Sequence, residues 1–110
     1  MMQRIFRART GSRDVSVQEA SRRQADGAVI VDVREADEWA TGHVPGARHA
    51  PLSRLHVASL PRDADLLIIC RSGGRSARAV TALRQAGYTR AVNVAGGMTA
   101  WSAAGLPVAR

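Results

Sequence analysis

Cys70 is the only cysteine in the 110 residues, and Arg71-Ser72-Gly73-Gly74-Arg75-Ser76 follows it directly. The apolar run Leu66-Leu67-Ile68-Ile69 precedes it and reads as a buried strand, while Arg75 to Ala86 reads as a helix. A thiol placed where a strand turns through a glycine loop into a helix faces converging N–H groups and the positive end of a helix dipole. The thiolate, not the thiol, is the nucleophile, and such surroundings lower a cysteine's pKa. Gly73 and Gly74 permit positive φ and add no bulk, so successive N–H groups can turn inward as an anion-binding nest. Arg71 and Arg75 add two cations, and Ser76 can cap the helix or hydrogen-bond toward the sulfur. A cysteine that only fills a core has no need of two glycines and two arginines beside it. We read Cys70 as a nucleophile, and Arg71, Ser72, Gly73, Gly74, Arg75 and Ser76 as the loop that holds what it attacks or carries. On these residues alone, phosphate, arsenate and sulfur chemistry all stay open.

The rest of the chain supplies a scaffold for that turn. Ser16-Val17-Gln18-Glu19 has capping-box spacing and opens a short helix to about Asp26, with Gly27 as its stop. Ala28 to Val33 is a continuous β-branched run, the pattern of a strand covered on both faces. A second short helix runs from Glu35 to Thr41, Pro45-Gly46 is a turn, and Ala47 to Ala50 is a short strand. Pro51 to about Leu60 reads as a helix closed by Pro61. Ala91 to Val94 is the last strand, and Gly97 to Ala104 the last helix. Strands alternating with helices predict βαβ units, right-handed crossovers and a mainly parallel sheet with helices on both faces. Asp32 and Arg34, Cys70, and Ala95-Gly96-Gly97 then follow three strand ends along one sheet edge, where open α/β sheets bind ligands.

Composition narrows the setting. Hydrophobic residues make up 45% of the chain, enough for one folded core. The net charge is +7 and every basic residue is arginine. Four of these arginines lie in the first thirteen residues, which hold no acid, and without them the excess falls to +3. We read residues 1–13 as a basic, solvated arm and 14–110 as the domain, with no nucleic-acid partner expected. The start is Arg-rich like a transit peptide but very short, and it lacks the apolar stretch of a secretory signal. No run approaches the ~20 apolar residues of a membrane span. A lone cysteine forms no internal disulfide and fits a reducing, cytoplasmic location. His43, His49 and His56 show no metal-ligand spacing with it, so no metal is expected.

Four segments, in order, resemble one family. They are Val31-Asp32-Val33-Arg34-Glu35, Gly42-His43-Val44-Pro45-Gly46-Ala47, Cys70 to Ser76, and Gly96-Gly97-Met98-Thr99-Ala100-Trp101. Together they resemble the single-domain rhodaneses, the thiosulfate sulfurtransferase-like proteins, over about residues 14 to 110. The resemblance implies a three-layer α/β/α domain around a mainly parallel sheet of about five strands. It implies that Cys70 carries sulfur as a persulfide, taken from an anionic donor such as thiosulfate. A thiol, cyanide or a protein acceptor then receives it, and no cofactor is required.

Asp32 and Arg34 fall beside the loop, where a structural ion pair or turn hydrogen bond is the plain expectation, and His43 is assigned a structural hydrogen bond. Trp39 and Trp101 read as packing residues, His49 and His56 have no special context, and Gly96-Gly97 fits a tight turn. Cysteine phosphatases that share this fold place five residues between Cys and Arg. Here four stand between Cys70 and Arg75, a loop sized for one sulfur atom rather than a tetrahedral oxyanion. A persulfide relay or binding module serving a partner protein is the other alternative, with the basic arm as its docking surface.

Overall fold

Leu66–Ile69 form β4, the central strand, and every residue in it is buried. The computed structural model describes residues 14–55 and 59–110. Asp14–Val15 form β1, Val29–Asp32 β2, Arg48–His49 β3 and Ala91–Val94 β5. The five strands lie in the order β1-β5-β4-β2-β3, and all pairs are parallel. The helices are α1 (Val17–Ala25), α2 (Ala36–Thr41), α3 (Gly74–Gln85) and α4 (Gly97–Ala103). The expected three-layer α/β/α domain is therefore present. The basic arm, residues 1–13, and His56 lie outside the described residues. Among the described residues, no helix is long and apolar enough to cross a membrane.

Strand parity divides the core into two layers. Ile30, Leu67, Ile69, Val92 and Val94 face α1 and α4, through Val17, Ala20, Met98 and Trp101. Val31, Val33, Leu66, Ile68 and Ala91 face α3, through Ala79, Val80 and Leu83. Side chains alternate across a strand, so Cys70 follows Leu66 and Ile68 onto the α3 face. That parity puts the sulfur beside the first turn of α3.

Strand order explains why this is a site. The chain leaves β2 toward edge strand β3 but leaves β4 toward β5 on the opposite side. Adjacent parallel strands whose connections diverge leave a crevice beyond their carboxyl ends. Cys70 and the Asp32–Arg34 segment occupy the two sides of that crevice.

Two elements depart from the sequence expectation. Where a helix is expected from Pro51 to Leu60, the described residues instead form a 3-10 turn at Leu52–Arg54, and Leu55 is extended. The sheet captures this backbone: Ala50 N–H donates to Asp32 O at 2.9 Å and Leu52 N–H to Val33 O at 3.0 Å. The Ser53 hydroxyl also donates to Glu35 Oε1 at 2.7 Å. Edge strand β1 was not expected as a separate element. Two residues carry no readable period, and Asp14–Val15 becomes a strand only by pairing with Asn93 and Val94.

Candidate active site

The loop folds its own backbone around the sulfur. Gly73, at φ 108°, caps α3 in a left-handed conformation and directs its N–H to Cys70 Sγ at 3.1 Å. Ser76 stands in the first turn of α3, and its Oγ lies 3.2 Å from the same sulfur. Burial pushes the Cys70 thiol up. The Ser76 hydroxyl and the backbone N–H groups of Ser76, Gly73 and Ser72 outweigh that burial and hold it below its ordinary value. Cys70 is only 1% exposed, so these donors act in a site largely closed to water.

The other face of the loop rests on α4. Met98 N–H donates to Cys70 O at 2.8 Å and Thr99 N–H to Arg71 O at 2.9 Å. The first N–H groups of a helix have no partner within it, so α4 spends two of them on the loop's carbonyls. Gly97, at φ 55°, makes this approach possible, because a Cβ there would lie 2.4 Å from Cys70 O. The Gly96-Gly97 pair thus does more than turn the chain.

The neighbouring strand end is closed by a buried ion pair. Arg34 Nη2 donates to Asp32 Oδ2 at 2.8 Å and to Gly42 O at 2.7 Å, while Arg34 N–H donates to Asp32 Oδ1 at 2.9 Å. Both carboxylate oxygens and the Nε and Nη2 groups of the guanidinium are engaged, which fits a structural brace. His43 Nδ1 lies 3.0 Å from Trp39 O. The Trp39 ring is stacked on both His43, at 3.5 Å between centroids, and His49, at 4.5 Å. Neither histidine has a hydrogen bond to the sulfur.

A model of the rhodanese-like domain matches residues 16–104, which spans every element of the site. The chain belongs to the rhodanese-like family. A sulfurtransferase of Allochromatium vinosum is 38% identical over 99 residues, covering 86% of this chain and 92% of its own. The thiosulfate sulfurtransferase GlpE of Ectopseudomonas mendocina is 33% identical over 91 residues, covering 81% and 84%. A rhodanese-related protein of Thermoplasma volcanium, known as a crystal structure, superposes with a TM-score of 0.81 at 32% identity, over 88% of this chain and 97% of that one.

Within this rhodanese-like domain, Arg75 is not free beside the sulfur. Its Nη1 and Nη2 donate to Glu38 Oε1 and Oε2, each at 2.7 Å. Glu38 Oε1 also accepts Glu35 N–H at 3.1 Å as part of the capping box of α2. One carboxylate therefore ties the start of α2 to the start of α3. Glu38 was not singled out in the sequence, although its position three residues after Glu35 carries the capping-box signal.

The Arg75 pair holds the Glu38 carboxyl down at about 2, against partial burial that pushes it up. A folded value below the unfolded one adds stability at neutral pH that disappears as pH falls from about 4 toward 2. Glu38→Gln is expected to cost about 1 kcal/mol at pH 7, since the pair is partly solvent-screened. Urea unfolding at pH 7 and pH 3 checks this. The gap between the two proteins narrows at the lower pH, and a gap that stays constant refutes the assignment.

Arg71 is placed differently. It lines a groove of about 660 Å³ whose other walls include Asp37, Met98, Thr99, Ser102 and Arg110. Arg71 is exposed, and among the described residues it forms no ion pair.

Proposed function

We propose that the protein is a sulfurtransferase that carries sulfur on Cys70. The observation that supports it best is the set of donors around the sulfur, the Gly73 N–H at 3.1 Å and the Ser76 hydroxyl at 3.2 Å, in a loop of four residues before Arg75. The thiolate attacks the outer, sulfane sulfur of thiosulfate. A new S–S bond forms, the old one breaks, and its electron pair leaves with sulfite. The negative charge moves to the terminal sulfur of the persulfide, where the loop N–H groups and the positive start of α3 stabilise it. An acceptor nucleophile, either cyanide, a thiolate or a protein thiolate, then attacks that terminal sulfur. The electron pair of the broken bond returns to Cys70 Sγ. The proton count is unchanged through both half-reactions, so no general base is needed once the thiolate exists.

The donor is anionic, and Arg71, exposed at the groove, is placed to attract it, whereas Arg75 is held by Glu38. Arg71→Ala is expected to raise KM for thiosulfate about three- to tenfold with kcat within about twofold. Raising the ionic strength weakens the wild type toward the variant. Steady-state kinetics at low and high salt make the comparison, and an unchanged KM assigns donor binding to the backbone alone.

Intact-mass spectrometry tests the whole reading. After thiosulfate, the protein gains the mass of one sulfur atom, and cyanide removes it with release of thiocyanate. No mass gain with thiosulfate or with other sulfane donors defeats the proposal. Loading without multiple turnover selects the relay reading instead.

A further inference from the structure

Ser76 has one hydroxyl proton and two acceptors within reach. Its Oγ lies 3.2 Å from Cys70 Sγ and also within hydrogen-bond distance of Asn93 Oδ1. The orientation of the Asn93 amide is set from its far side. Asn93 Nδ2 donates to Asp14 Oδ1 at 3.2 Å, and an ionised carboxylate only accepts, so the amide oxygen must face Ser76. Asp14 is held there by its β-register opposite Asn93.

With Cys70 protonated, the hydrogen bonds run in one direction from the sulfur to Asp14. The S–H donates to Ser76 Oγ, the Ser76 O–H to Asn93 Oδ1, and the Asn93 N–H to Asp14. With Cys70 as thiolate, the Ser76 proton turns to the sulfur and Asn93 Oδ1 loses its donor. Cys70, Ser76 and Asn93 are 1%, 0% and 5% exposed, so bulk water is poorly placed to replace the lost bond.

We propose that Asn93 is a positioning residue that competes with the Cys70 sulfur for the Ser76 proton, making Ser76 a two-position hydrogen-bond switch. Ser76 donates to the sulfur when Cys70 is a thiolate. It donates to Asn93 when the sulfur is protonated or bonded to a second sulfur. The second half rests on the sulfur-transfer reading. As charge passes to the terminal sulfur, Sγ stops being an anionic acceptor and Ser76 swings to Asn93. As the S–S bond breaks and its electron pair returns to Sγ, Ser76 swings back to receive the leaving thiolate. Asn93 thereby sets how readily Cys70 gives up its proton.

Charged groups around the thiol are Arg71 in its own loop, Arg75 of α3 with Glu38 of α2, the Asp32–Arg34 pair at the end of β2, and Asp14 of β1 behind Asn93. Substituting Asn93 leaves all of them in place and removes the Asn93 amide from Asp14. A freed carboxylate disfavours a thiolate, so its effect opposes the one expected from releasing Ser76.

The test is the pH dependence of Cys70 alkylation by iodoacetamide on the resting protein, which needs no sulfur donor and is independent of turnover. Asn93→Val, suited to a strand, and the near-isosteric Asn93→Leu are each expected to lower the midpoint by about one pH unit, a tenfold gain in thiolate at low pH. Ser76→Ala raises the midpoint. In the Ser76→Ala background, the Asn93 substitutions no longer lower the midpoint, because no proton remains to be shared and only the opposing effect of Asp14 is left. Circular dichroism confirms that each variant is folded. An unchanged or raised midpoint in both Asn93 variants overturns the proposal. So does a downward shift that persists without Ser76.

Discussion

On the proposed function, replacing Cys70 by serine is expected to abolish persulfide formation and sulfur transfer while leaving the domain folded. Serine is the closest isostere of cysteine, and its hydroxyl can still meet the Gly73 N–H and Ser76 that now face the sulfur. Its pKa is far too high for a resting oxyanion, and the loop offers no base beside it: His43 and His49 are stacked on Trp39 instead. Thiocyanate production from thiosulfate and cyanide is expected to fall by about 10⁴-fold or more, the scale on which losing a covalent nucleophile is felt. Intact mass after thiosulfate shows no added sulfur, and thermal unfolding shifts little. Residual turnover within about tenfold of wild type would falsify covalent transfer through Cys70, which has no second cysteine to replace it.

Gly97→Ala is expected to be the most disruptive single-methyl change in the domain. A Cβ at Gly97 would lie 2.4 Å from Cys70 O and 2.6 Å from Arg71 C and O, all rigid backbone. The φ of 55° adds the strain that any L side chain meets in the left-handed region. Strain and overpacking together cost about 3–5 kcal/mol, a large share of the ~5–15 kcal/mol that holds a domain. To relieve the clash, α4 must retreat and give up the Met98 and Thr99 hydrogen bonds to the loop. Chemical denaturation should therefore show the lost stability, and the alkylation midpoint of Cys70 should rise as its nest loosens. Gly74→Ala is the matched comparison. Nothing lies within 4 Å of its added Cβ, and alanine favours a helix over glycine, so stability changes by no more than about 1 kcal/mol. Equal losses in the two variants contradict this account.

Much of the architecture is carried by local pattern. The β-branched run before Arg34, the apolar run before Cys70 and the capping box at Ser16 and Glu19 each specify an element through short-range chemistry, and the structure places β2, β4 and α1 there. Pro51 to Leu60 shows where such reasoning fails. Leucines at 52 and 55 suit a helix or a 3-10 turn equally, and hydrogen bonds from Ala50 and Leu52 to the end of β2 decide between them. Strand β1 is similarly invisible, because its only support is a partner almost eighty residues away in the chain.

The site divides along the same line. The sequence by itself determined the lone cysteine that we read as the nucleophile, the glycine loop, the helix that follows and the strand parity that turns Cys70 toward that helix, since all of these act within a few residues. Only the tertiary structure decided what each charge and polar group does. Arg75 and Arg71 look equivalent in the chain, but Glu38 from another helix takes Arg75 and leaves Arg71 at the groove. Asn93 reads as one polar residue in an apolar strand until Ser76 and Asp14 are brought to its two ends. Gly97 reads as a turn until α4 is seen against the Cys70 carbonyl. Hydrogen bonds and ion pairs act over about 3 Å, so partners distant in sequence gain meaning only when packing fixes them in space.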